Sequence, residues 1–188
     1  MPNTYPALYC YEVVDGMIKE YNTLEDGRRQ VAEFYCAGDV FGISETEEQL
    51  HTAEAVTDCA VRRYPRDAYF RQIARSPALS LQFLDTVIKR LHNARERIIL
   101  LGRMNASQRV AAFLLRLSDE QDSARDIQIV MSRQDIADHL GLTTETVCRS
   151  LTALKKRGVI EMSNPRSFDV PNLAALDIAA HSTATAHH

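Results

Sequence analysis

The chain has 188 residues, enough for two small domains, and its 45% apolar and 25% charged residues mark an ordinary globular protein and exclude a disordered one. No run of about eighteen apolar residues offers a membrane-spanning helix. The net charge of -3 hides an asymmetry: residues 1–75 carry 8 Lys and Arg against 13 Asp and Glu, and residues 76–188 carry 14 against 12. That balance neither requires nor excludes nucleic acid, which a local basic patch can bind.

The N-terminal stretch MPNTYPALYC lacks the charged start and apolar core of a secretory signal, so the cytoplasm is the expected location. Cys10, Cys36, Cys59 and Cys148 lie far apart, with no CxxC and no Cys/His pair at metal-ligand spacing. Buried thiols in a reducing compartment are expected for most of them, with no metal site and no cofactor.

From Tyr9 to about Arg66 the pattern is short alternating segments broken by turns. Met17–Tyr21 and Gln30–Phe34 flank Leu24-Glu25-Asp26-Gly27, and an Asp-Gly pair between such runs predicts a hairpin. Ala37-Gly38-Asp39 and Asp58-Cys59 mark further turns, with strands around Glu54–Val56 and Ala60–Tyr64. An antiparallel sheet, rolled up, is expected. At Pro65 the period changes, and a short helix is predicted over 66–73. Pro77 suits an early helical position. Leu84, Val87, Leu91, Ala94, Ile98 and Leu101 then recur at spacings of 3, 4, 3, 4 and 3, a heptad seam that predicts pairing of this helix with a second copy. Gly102 is expected to end or bend it. Another amphipathic helix is predicted over 105–117, a polar loop over 118–126, and a strand over 127–130.

Ser132-Arg133-Gln134-Asp135 has the form of a capping box with Asp at its last position, and it opens a short helix through Leu140. Gly141 stops that helix, and Thr143 caps a second one reaching about Arg157. Two short helices joined by so tight a turn form a helix-turn-helix, whose second helix can enter the major groove of DNA. Val159–Met162 and Ser167-Phe168, joined by residues 163–166, would add a wing. On the second helix Glu145, Cys148 and Arg149 fall at i, i+3 and i+4 and share one face near its N-terminus. Arg can donate twice to guanine, and Glu can accept from cytosine N4. Lys155 and Lys156 suit phosphates, as do Ser132, Arg133, Thr143 and Thr146 around the turn.

The stretch QDIADHLGLTTETVCRSLTALKKRGVI, preceded by LGRMNASQRVAAFLLRL, resembles the CRP/FNR family of bacterial transcription regulators and is similar to its FixK branch. The resemblance runs from about residue 9 to 173 and is most specific over 132–160. It implies an α+β architecture with a cyclic-nucleotide-binding-like β-roll (1–76), a long dimerisation helix (77–104) and a C-terminal winged helix-turn-helix (105–180). It further implies a homodimer on a palindromic TTGAT-like promoter site, with RNA polymerase as second partner, and genes of microaerobic or nitrogen-fixing metabolism. The loop from Thr23 to Arg28 is a candidate polymerase contact. The branch's recognition signature is E-x-x-S-R. Glu145 and Arg149 fall on its ends, Thr144 stands where the cyclic-AMP branch has a base-contacting Arg, and Cys148 replaces the Ser. An exposed thiol beside Arg149 at a helix N-terminus is also a candidate redox switch.

Family members that bind cyclic nucleotides use Gly-Glu and Arg-Ser pairs, matched here by Gly42-Ile43 and His51-Thr52, so no cyclic nucleotide is expected. The cysteines lack iron–sulfur cluster spacing, and His51 and His92 are lone candidates for haem. A regulator gated by haem, iron–sulfur or nucleotide is nonetheless the alternative reading. Members of the family the chain resembles usually carry several strands before the part that begins here at Tyr9, so the expectation is either that the true N-terminus is missing or that the roll is incomplete. No nucleophile–base set or phosphate-cradling Gly loop suggests an enzyme.

Overall fold

Alternating side chains in the first third of the chain build strands β1 (Tyr9–Asp15), β2 (Ile18–Thr23), β3 (Arg29–Tyr35), β4 (Val40–Phe41), β5 (Thr52–Ala55) and β6 (Ala60–Pro65). The computed structural model describes residues 8–43 and 51–181. The chain divides into two compact units, Met1–Glu96 and Arg97–His188.

In the first unit two antiparallel three-stranded sheets have the orders β4-β1-β6 and β3-β2-β5. Val13, Ile18, Tyr35 and Phe41 form the buried cluster, with Tyr11 packed against it. Phe41 stacks on both Tyr11 and Tyr35 at centroid distances of 5.3 and 5.4 Å. Tyr35 donates its hydroxyl to Glu20 (2.8 Å), and burial, then the neighbouring Glu20 carboxylate, pushes its phenol well above the ordinary range. The Asp26-Gly27 turn closes the β2–β3 hairpin as expected. The two-residue β4 had no counterpart in the sequence reading because two residues carry no period. Its pairing of Phe41 with Tyr11 is what brings the Gly38 turn back onto β1.

Helix α1 (Arg66–Arg75) follows, and then α2 (Pro77–Arg103), 27 residues with none buried. The latter ends one residue past Gly102, in keeping with glycine's poor helix propensity.

The core of the second unit is built on α3 (Ala106–Glu120), which outruns its predicted end at Leu117. Ser118 is buried rather than part of a loop, its hydroxyl donating to the Ser123 carbonyl at 2.5 Å. Strand β7 is only Ile127–Gln128, although the Ile129 N–H still donates to the Arg166 carbonyl (2.7 Å). Helices α4 (Arg133–Leu140) and α5 (Thr144–Lys156) pack together, with Ala137 of α4 fully buried. Strands β8 (Glu161–Asn164) and β9 (Ser167–Asp169) complete a sheet of order β7-β9-β8. The wing turn is tighter than residues 163–166. Asn164 accepts from the Arg166 N–H and donates to Ser167 Oγ, pulling the strand ends inward.

Helix α6 (Leu173–His181) was not anticipated; it packs on α3 through Leu176, Ala179 and Ala180.

Candidate nucleic-acid interface

The two helices of the helix-turn-helix are fixed at both ends by side chains whose type dictates the geometry. Ser132 Oγ accepts from the Asp135 N–H at 3.0 Å, and Asp135 Oδ2 accepts from the Ser132 N–H at 3.2 Å, a reciprocal box. The shorter Asp can replace the usual Glu because Ser132 Oγ also donates to its carboxylate at 2.6 Å. Gly141 closes α4 at φ 62°, where its N–H reaches the Ala137 carbonyl. Thr143 Oγ1 then accepts from the Thr146 N–H at 3.2 Å and opens α5.

Gly141→Ala tests this turn. A Cβ there would meet Leu101 Cδ2 at 3.5 Å and Arg109 Nη1 at 3.6 Å, ordinary contacts, so the cost is the left-handed backbone alone. The variant is expected to lose about 1–2 kcal/mol of stability, read as a lower thermal midpoint. An unchanged midpoint would show that the turn has another conformation.

Helix α5 buries Val147, Ser150, Leu151 and Leu154 and turns its other face outward. Glu145, Cys148 and Arg149 are exposed, with Arg149 Nη2 3.4 Å from Thr146 Oγ1. Thr144 is half-buried, its hydroxyl donating to Gln134 Oε1 at 2.7 Å while Gln134 Nε2 donates to Asp138 at 2.6 Å. This chain of bonds braces the start of α5 against α4. The sequence reading passed over Gln134, whose role depends on a partner ten residues away.

Two cations tie the wing to the helices. Arg133 donates from α4 to the Pro165 carbonyl, and Lys155 Nζ donates from α5 to the Met162 carbonyl at 2.9 Å. Burial lowers the Arg133 pKa from its ordinary value, against a smaller opposing effect of Cys148. Lys156 is exposed near the end of α5.

On α2 the apolar seam stays wet: Leu84, Val87, Leu91 and Ile98 are 52%, 43%, 50% and 72% exposed, and Ala94 is exposed as well. Leu101 differs. It is half-buried, its Cδ2 turned toward Gly141 of its own chain.

In the first unit Gly42 takes φ 74°, Ile43 is half-buried, and His51 is exposed with its Nδ1 against Asn22 Oδ1. The cysteines depart from the expectation of buried thiols: Cys10 is buried on β1, while Cys36, Cys59 and Cys148 are exposed. Among the described residues no group of three His, Cys, Asp or Glu could hold a metal ion, and no helix is long and apolar enough to cross a membrane.

A braced pair of short helices with a polar outer face, a wing, a β-sheet domain and a long helix together define a winged helix-turn-helix transcription regulator with a cyclic-nucleotide-binding type of first domain. Residues 108–178 match the Crp-like helix-turn-helix domain and residues 4–76 the cyclic nucleotide-binding domain.

The chain belongs to the CRP/FNR family. It is 36% identical to the nitrogen fixation regulation protein FixK of Rhizobium meliloti, over 89% of this chain and 76% of that protein. It is 37% identical to FixK of Azorhizobium caulinodans, over 88% and 69%. The solved structure of FixK2 from Bradyrhizobium japonicum superposes with a TM-score of 0.87 at 35% identity, over 96% of this chain and 91% of that one. The relatives are transcription regulators, and this chain is a regulator with a DNA-binding domain, not an enzyme.

Proposed function

We propose that the protein works as a homodimer on a palindromic, TTGAT-like promoter site, each recognition helix reading one half-site. The observation that carries this reading is the exposed face of α5, where Glu145, Cys148 and Arg149 stand on a helix fixed by Ser132, Gly141 and Thr143 inside a Crp-like helix-turn-helix. Arg149 donates to guanine and Glu145 accepts from cytosine N4, with Thr144 and Cys148 beside them. Lys156 meets phosphate, and Thr143, Thr146, Ser132, Arg133 and Lys155 line the backbone path. The two cations also anchor the wing. The wet seam on α2 supports pairing, since apolar stripes of this length are covered in coiled-coil partners.

The turn from Thr23 to Arg28 is the surface offered to RNA polymerase. Cyclic nucleotides are not the signal, because Gly42-Ile43 and His51-Thr52 supply no arginine for the phosphate. The FixK relatives suggest targets in nitrogen fixation and microaerobic growth, controlled in the cytoplasm. Selection of bound duplexes from a random pool tests the whole reading. Two inverted half-sites about 34 Å apart, bound by two chains, are expected. Enrichment of no sequence, or of a single half-site by one chain, would overturn it.

A second reading concerns control. Cys148 sits exposed between Glu145 and Arg149 on the face that would read bases. Attack of a thiolate on peroxide breaks the O–O bond and gives the sulfenic acid with release of hydroxide, and a second equivalent of peroxide yields a bulky anionic sulfinate on that face with release of water and a proton. Binding by the wild type should weaken after peroxide, while Cys148→Ser should resist. Equal sensitivity of the two, read by fluorescence anisotropy, would remove the switch and leave the ligand-gated alternative.

A further inference from the structure

Arg109 makes a contact that neither base reading nor core packing explains. It sits in the first turn of α3, held by a capping box in which Asn105 and Gln108 exchange side-chain-to-backbone bonds at 3.1 and 2.9 Å. From that fixed base its guanidinium donates to three carbonyls: Nε to Met104 at 3.0 Å, Nη2 to Leu101 at 2.9 Å and Nη1 to Leu140 at 3.0 Å. Leu101 lies in the last turn of α2, Met104 directly follows that helix, and Leu140 is the last residue of α4. Helix C-termini expose carbonyls that lack helical partners and carry partial negative charge. One planar fork therefore bridges two such ends. The Leu101 side chain against Gly141 adds an apolar contact at the same place.

We infer that Arg109 is a positioning residue that sets the permitted spacing between DNA half-sites. The inference rests on the dimer and palindrome reading. The apolar seam runs along α2, and the clamp joins the last turn of that helix to the turn of the helix-turn-helix. Its rigidity decides where each recognition helix stands relative to the seam, without touching DNA. A lysine cannot substitute, since a point charge on a flexible stem cannot hold three carbonyls in fixed directions.

The test uses the full chain and duplexes carrying two identical half-sites with the spacer shortened or lengthened by one and two base pairs, together with a single half-site duplex. Wild type, Arg109→Lys and Arg109→Met are compared by anisotropy and thermal unfolding. Wild type is expected to prefer one spacing by about tenfold or more, the loss that follows when a base contact per half-site is misplaced. Both variants should bind all spacings within about threefold of each other, while half-site affinity stays at the wild-type value. Arg109→Lys serves if Arg109→Met does not fold, and unfolding of both variants would make the residue structural and overturn the inference. A wild-type preference that survives in a folded variant sinks the inference alone. Wild-type indifference to spacing sinks the palindrome reading and the inference with it.

Discussion

Arg149→Ala is expected to abolish discrimination at one base pair of each half-site while leaving the protein's fold unaltered. A bidentate arginine contact discriminates by about 1–3 kcal/mol, which corresponds to about 5–150-fold at each half-site. In a dimer the effect is felt twice. Random DNA should lose far less, since only one cation per chain is removed from the phosphate field. The structure separates this loss from instability. Arg149 is exposed and its recorded bond is a long one to Thr146, so truncation strands no buried group and should shift stability by no more than about 0.5 kcal/mol. Neutralising the exposed Lys156 is the natural comparison, because a phosphate contact lowers specific and random affinity together and reduces the salt slope by about 1. Titrations on specific, singly mutated and random duplexes decide the matter. Equal losses on all three for Arg149→Ala would remove it from the base-reading set.

The features of this region that were legible in the sequence are those encoded by residues close together in the chain. Ser132, Gly141 and Thr143 each act on backbone within about four residues, so their identities alone predict the boundaries of α4 and α5 that the structure shows. The seam on α2 was legible for the same reason, being a period of one helix. Leu101 continues that period, yet its partner is Gly141, forty residues on, and no local pattern could reveal that. The Arg109 clamp was hidden more thoroughly, since its three partners are carbonyls and every residue has one. Arg133 and Lys155 were read as phosphate ligands from their charge, and their bonds to wing carbonyls depend on a hairpin register that spacing does not give. Helix α6 escaped because its buried face has one large residue, Leu176, among alanines. Its one usable signal was Asn172, whose side chain accepts from the Ala175 N–H at 3.1 Å just after Pro171.

Leu91→Glu should convert a dimer into monomers, and its effect on DNA binding should exceed that of any single base contact. No residue of the 27 in α2 is buried within its own chain, and Leu91 is 50% exposed at the middle of the seam. The side chain therefore contributes little to the folding of one chain and much to a two-chain interface. In a parallel pair the substitution places two carboxylates against each other in an apolar setting. Each carries a desolvation penalty of several kcal/mol and neither finds a counter-ion. A penalty of about 4 kcal/mol raises a dimer dissociation constant about a thousandfold. Sedimentation at micromolar protein should show one species of half the wild-type mass with an unchanged thermal onset for each unit. Affinity for the full palindrome should fall toward that for a single half-site, because the second recognition helix no longer arrives at the high effective concentration that dimerisation provides. Single half-site binding should stay as it was. A variant that still sediments as a dimer would mean that α2 is not the pairing surface, and its wet leucines would then need another partner.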